Sequence, residues 1–131
     1  MRCIAYSTIL ARMADIIDHE HELLYAMKVV KPDDEYMNVT ERDLSLLKQA
    51  KDNFWNAYRA NILIVSSAFL REVMSMERQM AADLKVSSEM PSFEYHKIYT
   101  AIITRYRFKL LGIARVEVGH ESDPMLWFSH L

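Results

Sequence analysis

The chain of 131 residues contains very little glycine, proline or cysteine. With 2 Gly and 3 Pro it lacks the turn residues that an all-β chain needs. The single cysteine, Cys3, cannot form an internal disulfide, which fits a reducing compartment. Glycine-rich phosphate loops, zinc-type cysteine clusters and an HExxH sequence are all missing. Apolar runs such as Ile62–Val65 are far shorter than a membrane span, and the acidic N-terminal region does not resemble a signal peptide. We therefore expect a cytoplasmic protein without membrane contact.

The composition favours one all-α domain over residues 1–131. Hydrophobic residues make up 51% and charged residues 26%, which is the range of ordinary globular proteins. The chain is long enough to bury a core, and its 9 Met residues suit the irregular gaps between helices. These features predict an up-and-down helical bundle of four to five helices.

The stretch 54–76 is apolar at helical spacing and predicts the central helix of that bundle. Between Ile62 and Leu70 the other faces are apolar too, so this helix should have neighbours on nearly all sides. The helical pattern continues in both directions, and Thr40 is the expected N-cap. Residues 40–86 are therefore expected to form one long helix or two helices separated at the polar run 51–53, and the break is favoured.

Two further helices flank this segment. The first is predicted over residues 7–30 and ends before Pro32, and the last begins near Ser92 after a polar loop. Glu20 lies in the middle of the apolar stripe of the first helix, where a carboxylate needs a partner. We expect a salt bridge from Glu20 to an arginine of a neighbouring helix, with a functional role as the alternative.

The last helix is basic, although the net charge of the whole chain is −2. Its charged residues from position 95 to position 115 include no acid, and aromatic residues are interleaved with them. Most basic stretches of this kind are solvated helix faces, and contact with a polyanion such as RNA is the alternative. The candidate RNA-binding residues are Lys97, Arg105, Arg107 and Lys109.

A candidate catalytic pair follows, namely Arg115 and His120. A guanidinium holds a phosphate through two parallel hydrogen bonds, and an imidazole exchanges a proton near neutral pH. These two groups suffice in principle for RNA cleavage in which the 2′-hydroxyl attacks its own phosphate. The hypothesis is a metal-independent endoribonuclease that needs no cofactor.

Arg115, Glu117, Gly119 and His120 resemble the Arg-Asn-Glu-x-Gly-His form of the motif of HEPN domains, with Val116 in place of the usual polar residue. Residues 58–72 are similar to the Ala-rich core helix of that family. The resemblance implies a small helical bundle, since many HEPN domains are RNases of toxin–antitoxin and other defence systems. It also implies a homodimer whose two Arg/His pairs face each other across a groove, with Glu117 orienting one member of each pair.

Two other functions are consistent with the sequence. The chain could be a non-enzymatic interaction module that binds a protein partner through its apolar C-terminal segment and its methionines. It could also hold two metal ions, with Asp18/His21 and Glu117/His120 as carboxylate-x-x-His pairs supplemented by Glu72 or Glu77. Solvent exposure of these residues is the favoured interpretation, so no metal site is predicted, and His96 and His130 are expected to be structural.

Overall fold

The computed structural model describes residues 2–29, 34–84 and 92–119, and these ranges form four α-helices without any strand. Their bounds are α1 Arg2–Val29, α2 Asp34–Ala60, α3 Ser67–Asp83 and α4 Ser92–Val118. The predicted all-α bundle is confirmed, with four helices in the described part. None of these helices has the length and apolarity that a membrane crossing requires.

The helices run up and down. Arg2 at the start of α1 contacts Glu117 at the end of α4, whereas Glu20 further along α1 contacts His96 near the start of α4. Helix α1 packs against α2 and α4, and α3 packs against α4. The backbones of α2 and α3 approach each other closely at few points, so the described residues do not close the ring of helices between these two.

The predicted central helix over 54–76 is wrong, because the chain turns in the middle of it. Helix α2 ends at Ala60, residues 61–66 form turns, and α3 begins at Ser67. Leu63, which should have been packed, is 97% exposed. The predicted break at 51–53 is wrong as well, since those residues lie inside α2.

Local side-chain hydrogen bonds explain where the helix breaks. Asn61 Nδ2 donates to the Ala57 carbonyl at 2.8 Å, and Ser66 Oγ accepts from the Phe69 amide at 3.2 Å as the N-cap of α3. The Ser66 amide itself donates to the hydroxyl of Tyr6 at 3.0 Å. Short polar side chains of this kind compete with the helical hydrogen-bond ladder, and here they outweigh an apolar stretch.

The predicted helix ends differ at two places. Helix α1 begins at Arg2 rather than at residue 7, and Thr40 lies inside α2 and is therefore not an N-cap. Helix α4 continues through Gly112 to Val118. The start of α4 at Ser92 is confirmed. Pro32, most of the predicted loop before Ser92, and the segment from His120 onward lie outside the described residues.

Candidate nucleic-acid interface

The candidate catalytic residues lie at the C-terminal end of α4. Arg115 is exposed in the last turns of this helix, and Gly119 is the last residue described. The Glu117 carboxylate lies 3.5 Å from the Arg2 guanidinium of α1, a partner that the sequence analysis did not predict. His120 lies outside the described residues, so the Arg115–His120 pair remains a prediction.

The four predicted RNA-binding residues do not share one face of α4. Arg107 points toward α1, where its Nε donates to the Leu10 carbonyl at 3.3 Å. Lys109 points toward α3 and pairs with Glu72 at 3.7 Å. Arg105 also lies on the α3 side, where it donates to Gln79. Lys97 is exposed, so the basic residues surround the outward face rather than forming a single row.

Only one of the three interleaved aromatic residues faces solvent. Tyr99 and Tyr106 are buried, and Tyr106 donates to Gln79 of α3 at 2.9 Å. Phe108, in contrast, is 76% exposed. At 3.6 residues per turn, Phe108 falls within about 20° of a line along α4 that also carries Lys97 and Arg115. The outward face of α4 therefore presents an exposed aromatic ring with a basic residue on either side along the helix.

Glu20 is fully buried, as its place in the apolar stripe predicted, but its partners are not arginines. Its Oε2 lies 2.9 Å from Nδ1 of His96 in α4, a hydrogen bond in which the carboxylate accepts. Its Oε1 lies 3.8 Å from the Lys51 ammonium of α2, and the described residues donate no hydrogen bond to that oxygen. The predicted arginine partner is therefore wrong, and the cluster joins three helices.

Lys51 is held between Glu20 and an aromatic ring. Its ammonium lies 4.0 Å from the centre of the Tyr99 ring, and its side chain is 26% exposed. Burial lowers the pKa of Lys51, and the neighbouring Glu20 carboxylate partly offsets this effect by raising it. Burial, together with the charge of Glu20, raises the pKa of the Tyr99 hydroxyl. All of these groups lie in the interior, away from the outward face of α4.

The end of the bundle near Arg115 also exposes apolar side chains. Ile4 of α1 is 70% exposed, Leu63 of the α2–α3 turn is 97% exposed, and Val116 of α4 is 79% exposed. These three residues belong to the end where α1 and α3 begin and α2 and α4 end. A contiguous apolar patch is typical of a surface that another molecule covers.

The residues considered for a metal centre do not form one within the described ranges. Asp18 and His21 are not buried, Glu72 pairs with Lys109, and Glu77 is exposed. In the described part of the chain, no group of three histidine, cysteine or acidic side chains is close enough to hold an ion. His120, the remaining candidate ligand, lies outside that part.

No protein-family model matches this chain, and comparisons with curated proteins and with solved structures also return no match. The resemblance to HEPN domains therefore stays a prediction that rests on the motif at residues 115–120 and on the helical stretch at 58–72.

The exposure of Phe108 and the inward position of Lys51 were not predicted, although the sequence contains a signal for both. Residue 51 continues the apolar spacing of Leu47, Phe54 and Tyr58, and those three side chains are buried. A helical projection of α4 likewise separates Phe108 from the two buried tyrosines. A helical projection of the charged and aromatic residues, in place of runs along the chain, indicates the inward position of Lys51 and the outward position of Phe108.

Proposed function

We propose that this helical bundle binds single-stranded RNA along the outward face of α4. The observation that carries the proposal is the 76% exposure of Phe108 on a helix whose residues 95–115 include no acid. An exposed aromatic ring gives every base a surface for stacking, and flanking cations attract the phosphates. This combination suits a single strand, because the bases of a duplex are already stacked.

The distances along α4 suit several successive nucleotides. From Lys97 to Arg115 the helix advances about 27 Å, and from Phe108 to Arg115 about 10 Å. A base stacked on Phe108 would leave the following phosphates within reach of the Arg115 guanidinium. Asp18 and Glu22 are exposed on α1, where they repel a polyanion and thus direct RNA to α4.

We further propose that the bound strand is cleaved at the Arg115 end of α4. Arg115 would bind the phosphate at which cleavage occurs, and His120 would take the proton of the attacking 2′-hydroxyl or supply one to the leaving 5′-oxygen. Support for this step comes from the motif, from the exposure of Arg115, and from its alignment with Phe108. The expected products are a 2′,3′-cyclic phosphate and a 5′-hydroxyl, and no metal is required.

The binding step is tested by fluorescence anisotropy with a labelled single-stranded RNA. Phe108→Ala should weaken binding by about tenfold, which is the value of stacking one base. Tyr25→Ala is the matched control, because Tyr25 is 68% exposed on α1 and should leave the affinity unchanged. Equal affinities of wild type and Phe108→Ala would contradict the proposed surface.

The cleavage step is tested separately, with EDTA present and the products analysed for a cyclic phosphate end. Wild type should cleave, whereas Arg115→Ala and His120→Ala should not, although His120→Ala should still bind. Expression of wild type should slow cell growth if the RNA target is cellular, and His120→Ala should relieve this effect. Binding by the wild type without cleavage would leave an RNA-binding protein and reject the nuclease.

A second candidate function is binding of a protein partner or a second copy through the apolar end. The observation in its favour is the exposure of Ile4, Leu63 and Val116 at the end that also carries Arg115. A homodimer formed there would bring two copies of the motif together. Light scattering tests self-association: a dimer that becomes a monomer in Leu63→Ser would support this interface. A wild-type monomer would reject the homodimer.

A further inference from the structure

The open side of the bundle contains a cavity that is separate from the outward face of α4. It has a volume of about 350 Å³ and lies between α2, α3 and the inner face of α4, where α2 and α3 are not closely packed. Its walls are mostly apolar and aromatic. They include Phe54, Trp55, Met76, Met80, Tyr95 and Tyr99. Cavities of this size between the helices of a bundle suit small ligands.

Among the described residues in the wall of this cavity, Lys51 is the one with a charged side chain. Its ammonium carries three N–H donors, and the nearest carboxylate oxygen, Glu20 Oε1, is 3.8 Å away, which is beyond hydrogen-bonding distance. The donors therefore lack an acceptor at short range among the described residues, on a side chain that is 26% exposed. A cation in this state gains from an anionic acceptor that enters the cavity.

The position of Glu20 explains why the charge at Lys51 remains available. The other oxygen of Glu20 accepts from His96 at 2.9 Å, so the carboxylate is held in place by a residue of α4. Glu20 itself is not part of the cavity wall. A ligand in the cavity therefore meets the ammonium, with the Tyr99 ring beside it, and does not meet the carboxylate.

We propose that this cavity binds a small amphiphilic carboxylate, with the carboxylate on the Lys51 ammonium and the apolar part between Trp55, Met80 and Tyr95. The charge of Lys51 selects the anionic head, and the apolar walls select the tail. A free carboxylate with a single medium-length chain or a single aromatic ring fits the volume. Because the cavity lies on the inner side of α4, this inference is independent of RNA binding.

The experiment uses octanoate and its neutral counterpart 1-octanol as probes. Trp127→Phe leaves Trp55 as the single tryptophan, and its emission reports on the cavity wall. Octanoate should change that emission saturably with one molecule per chain, and it should bind about tenfold more tightly than 1-octanol because of the charged hydrogen bond. Absence of saturable octanoate binding, or equal binding of the two probes, would overturn the proposal.

Substitutions at Lys51 identify the group responsible. Lys51→Met should remove the preference for octanoate over 1-octanol, whereas Lys51→Arg should retain it. Circular dichroism of each variant establishes that it is folded. If Lys51→Met does not fold, isothermal titration of octanoate into Lys51→Arg replaces it as the test of the charged group. Met74→Ala, at an exposed methionine outside the cavity, should bind both probes as the wild type does. A preference for octanoate that survives in folded Lys51→Met, or is absent in folded Lys51→Arg, would contradict the assignment.

Discussion

The Glu20 carboxylate of α1 and the His96 imidazole of α4 form a hydrogen bond of 2.9 Å inside the bundle. Glu20 is fully buried and His96 is nearly so. Lys51 of α2 completes the cluster with its ammonium 3.8 Å from Glu20. Three of the four helices are therefore joined by polar groups at one level of the core, where any single unpaired member would be costly.

Loss of the Glu20 charge should destabilise the fold. Glu20→Gln leaves the ammonium of Lys51, whose side chain is 26% exposed, without its counter-ion, so the free energy of unfolding should fall by about 2–4 kcal/mol. Urea unfolding followed by circular dichroism measures this change. Glu22→Gln is the control, because Glu22 is exposed beside His19 on the same helix and should change stability by less than about 0.5 kcal/mol. Similar values for the two variants would show that the cluster contributes little.

The lowered pKa of Lys51 predicts a pH dependence with a definite sign. Because burial lowers this pKa below its ordinary value of 10.5, the folded chain releases the Lys51 proton at a lower pH than the unfolded chain does. Between the two pKa values the unfolded chain binds more protons, so stability should rise with pH there. The groups facing Lys51 are Glu20 and Tyr99, with His96 on the other side of Glu20.

The measurement compares wild type with Lys51→Met by urea unfolding from pH 7 upward. The free energy of unfolding of the wild type should rise relative to that of the variant. Readings stay below pH 10.0, the ordinary pKa of tyrosine, because the raised pKa values of Tyr58 and Tyr99 make stability fall above it. A difference that stays constant or shrinks as the pH rises would contradict the lowered pKa.

The three members of this cluster show what the sequence could and could not predict. Glu20, Lys51 and His96 each occupy a position within an apolar helical stripe, and the burial of Glu20 was predicted for that reason. Which partner it meets depends on the axial register of three helices, and helical spacing within each one carries no information on that register. The sequence indicates only that Glu20 needs a cationic or hydrogen-bonding partner. The partners in the structure are a lysine and a histidine, not the expected arginine.

The α2–α3 turn was unpredictable for a different reason. Apolar residues continue at helical spacing through residues 61–66, so periodicity alone indicates a helix there. The turn depends on Asn61 and Ser66, and on the Tyr6 hydroxyl that accepts from the Ser66 amide across the bundle. A contact between residues 60 positions apart is a tertiary effect that no local pattern records.

The N-cap of α3 gives a direct test of this explanation. Ser66→Ala should cost about 1 kcal/mol through loss of the cap, and Tyr6→Phe about 1 kcal/mol through loss of the hydroxyl acceptor. Because both substitutions act on one turn, the double variant should lose less than the sum of the two single losses. Chemical unfolding of the four proteins measures the coupling, and strict additivity would mean that the two bonds act independently.

The two arginines on opposite flanks of α4 should behave differently. Arg107→Gln removes the bond to the Leu10 carbonyl and should destabilise the fold by about 1 kcal/mol, with a small effect on RNA affinity. Arg105→Gln should weaken RNA binding and change stability by less than about 0.5 kcal/mol, because Arg105 is exposed. Thermal unfolding and RNA anisotropy on the same samples separate the two effects. A loss of RNA affinity in Arg107→Gln together with a loss of stability in Arg105→Gln would contradict this assignment.

Photo-crosslinking of the wild-type chain to a single-stranded RNA containing 4-thiouridine shows directly whether RNA lies along α4. Glu94 and Glu117 bracket a stretch free of acidic residues, so a glutamate-specific protease releases residues 95–117 as one peptide for mass spectrometry. We expect the cross-link to lie in this peptide, at Phe108 or next to it, and we expect Phe108→Ala to reduce its yield. Cross-links confined to other peptides, or an unchanged yield in Phe108→Ala, would contradict this placement of RNA along α4.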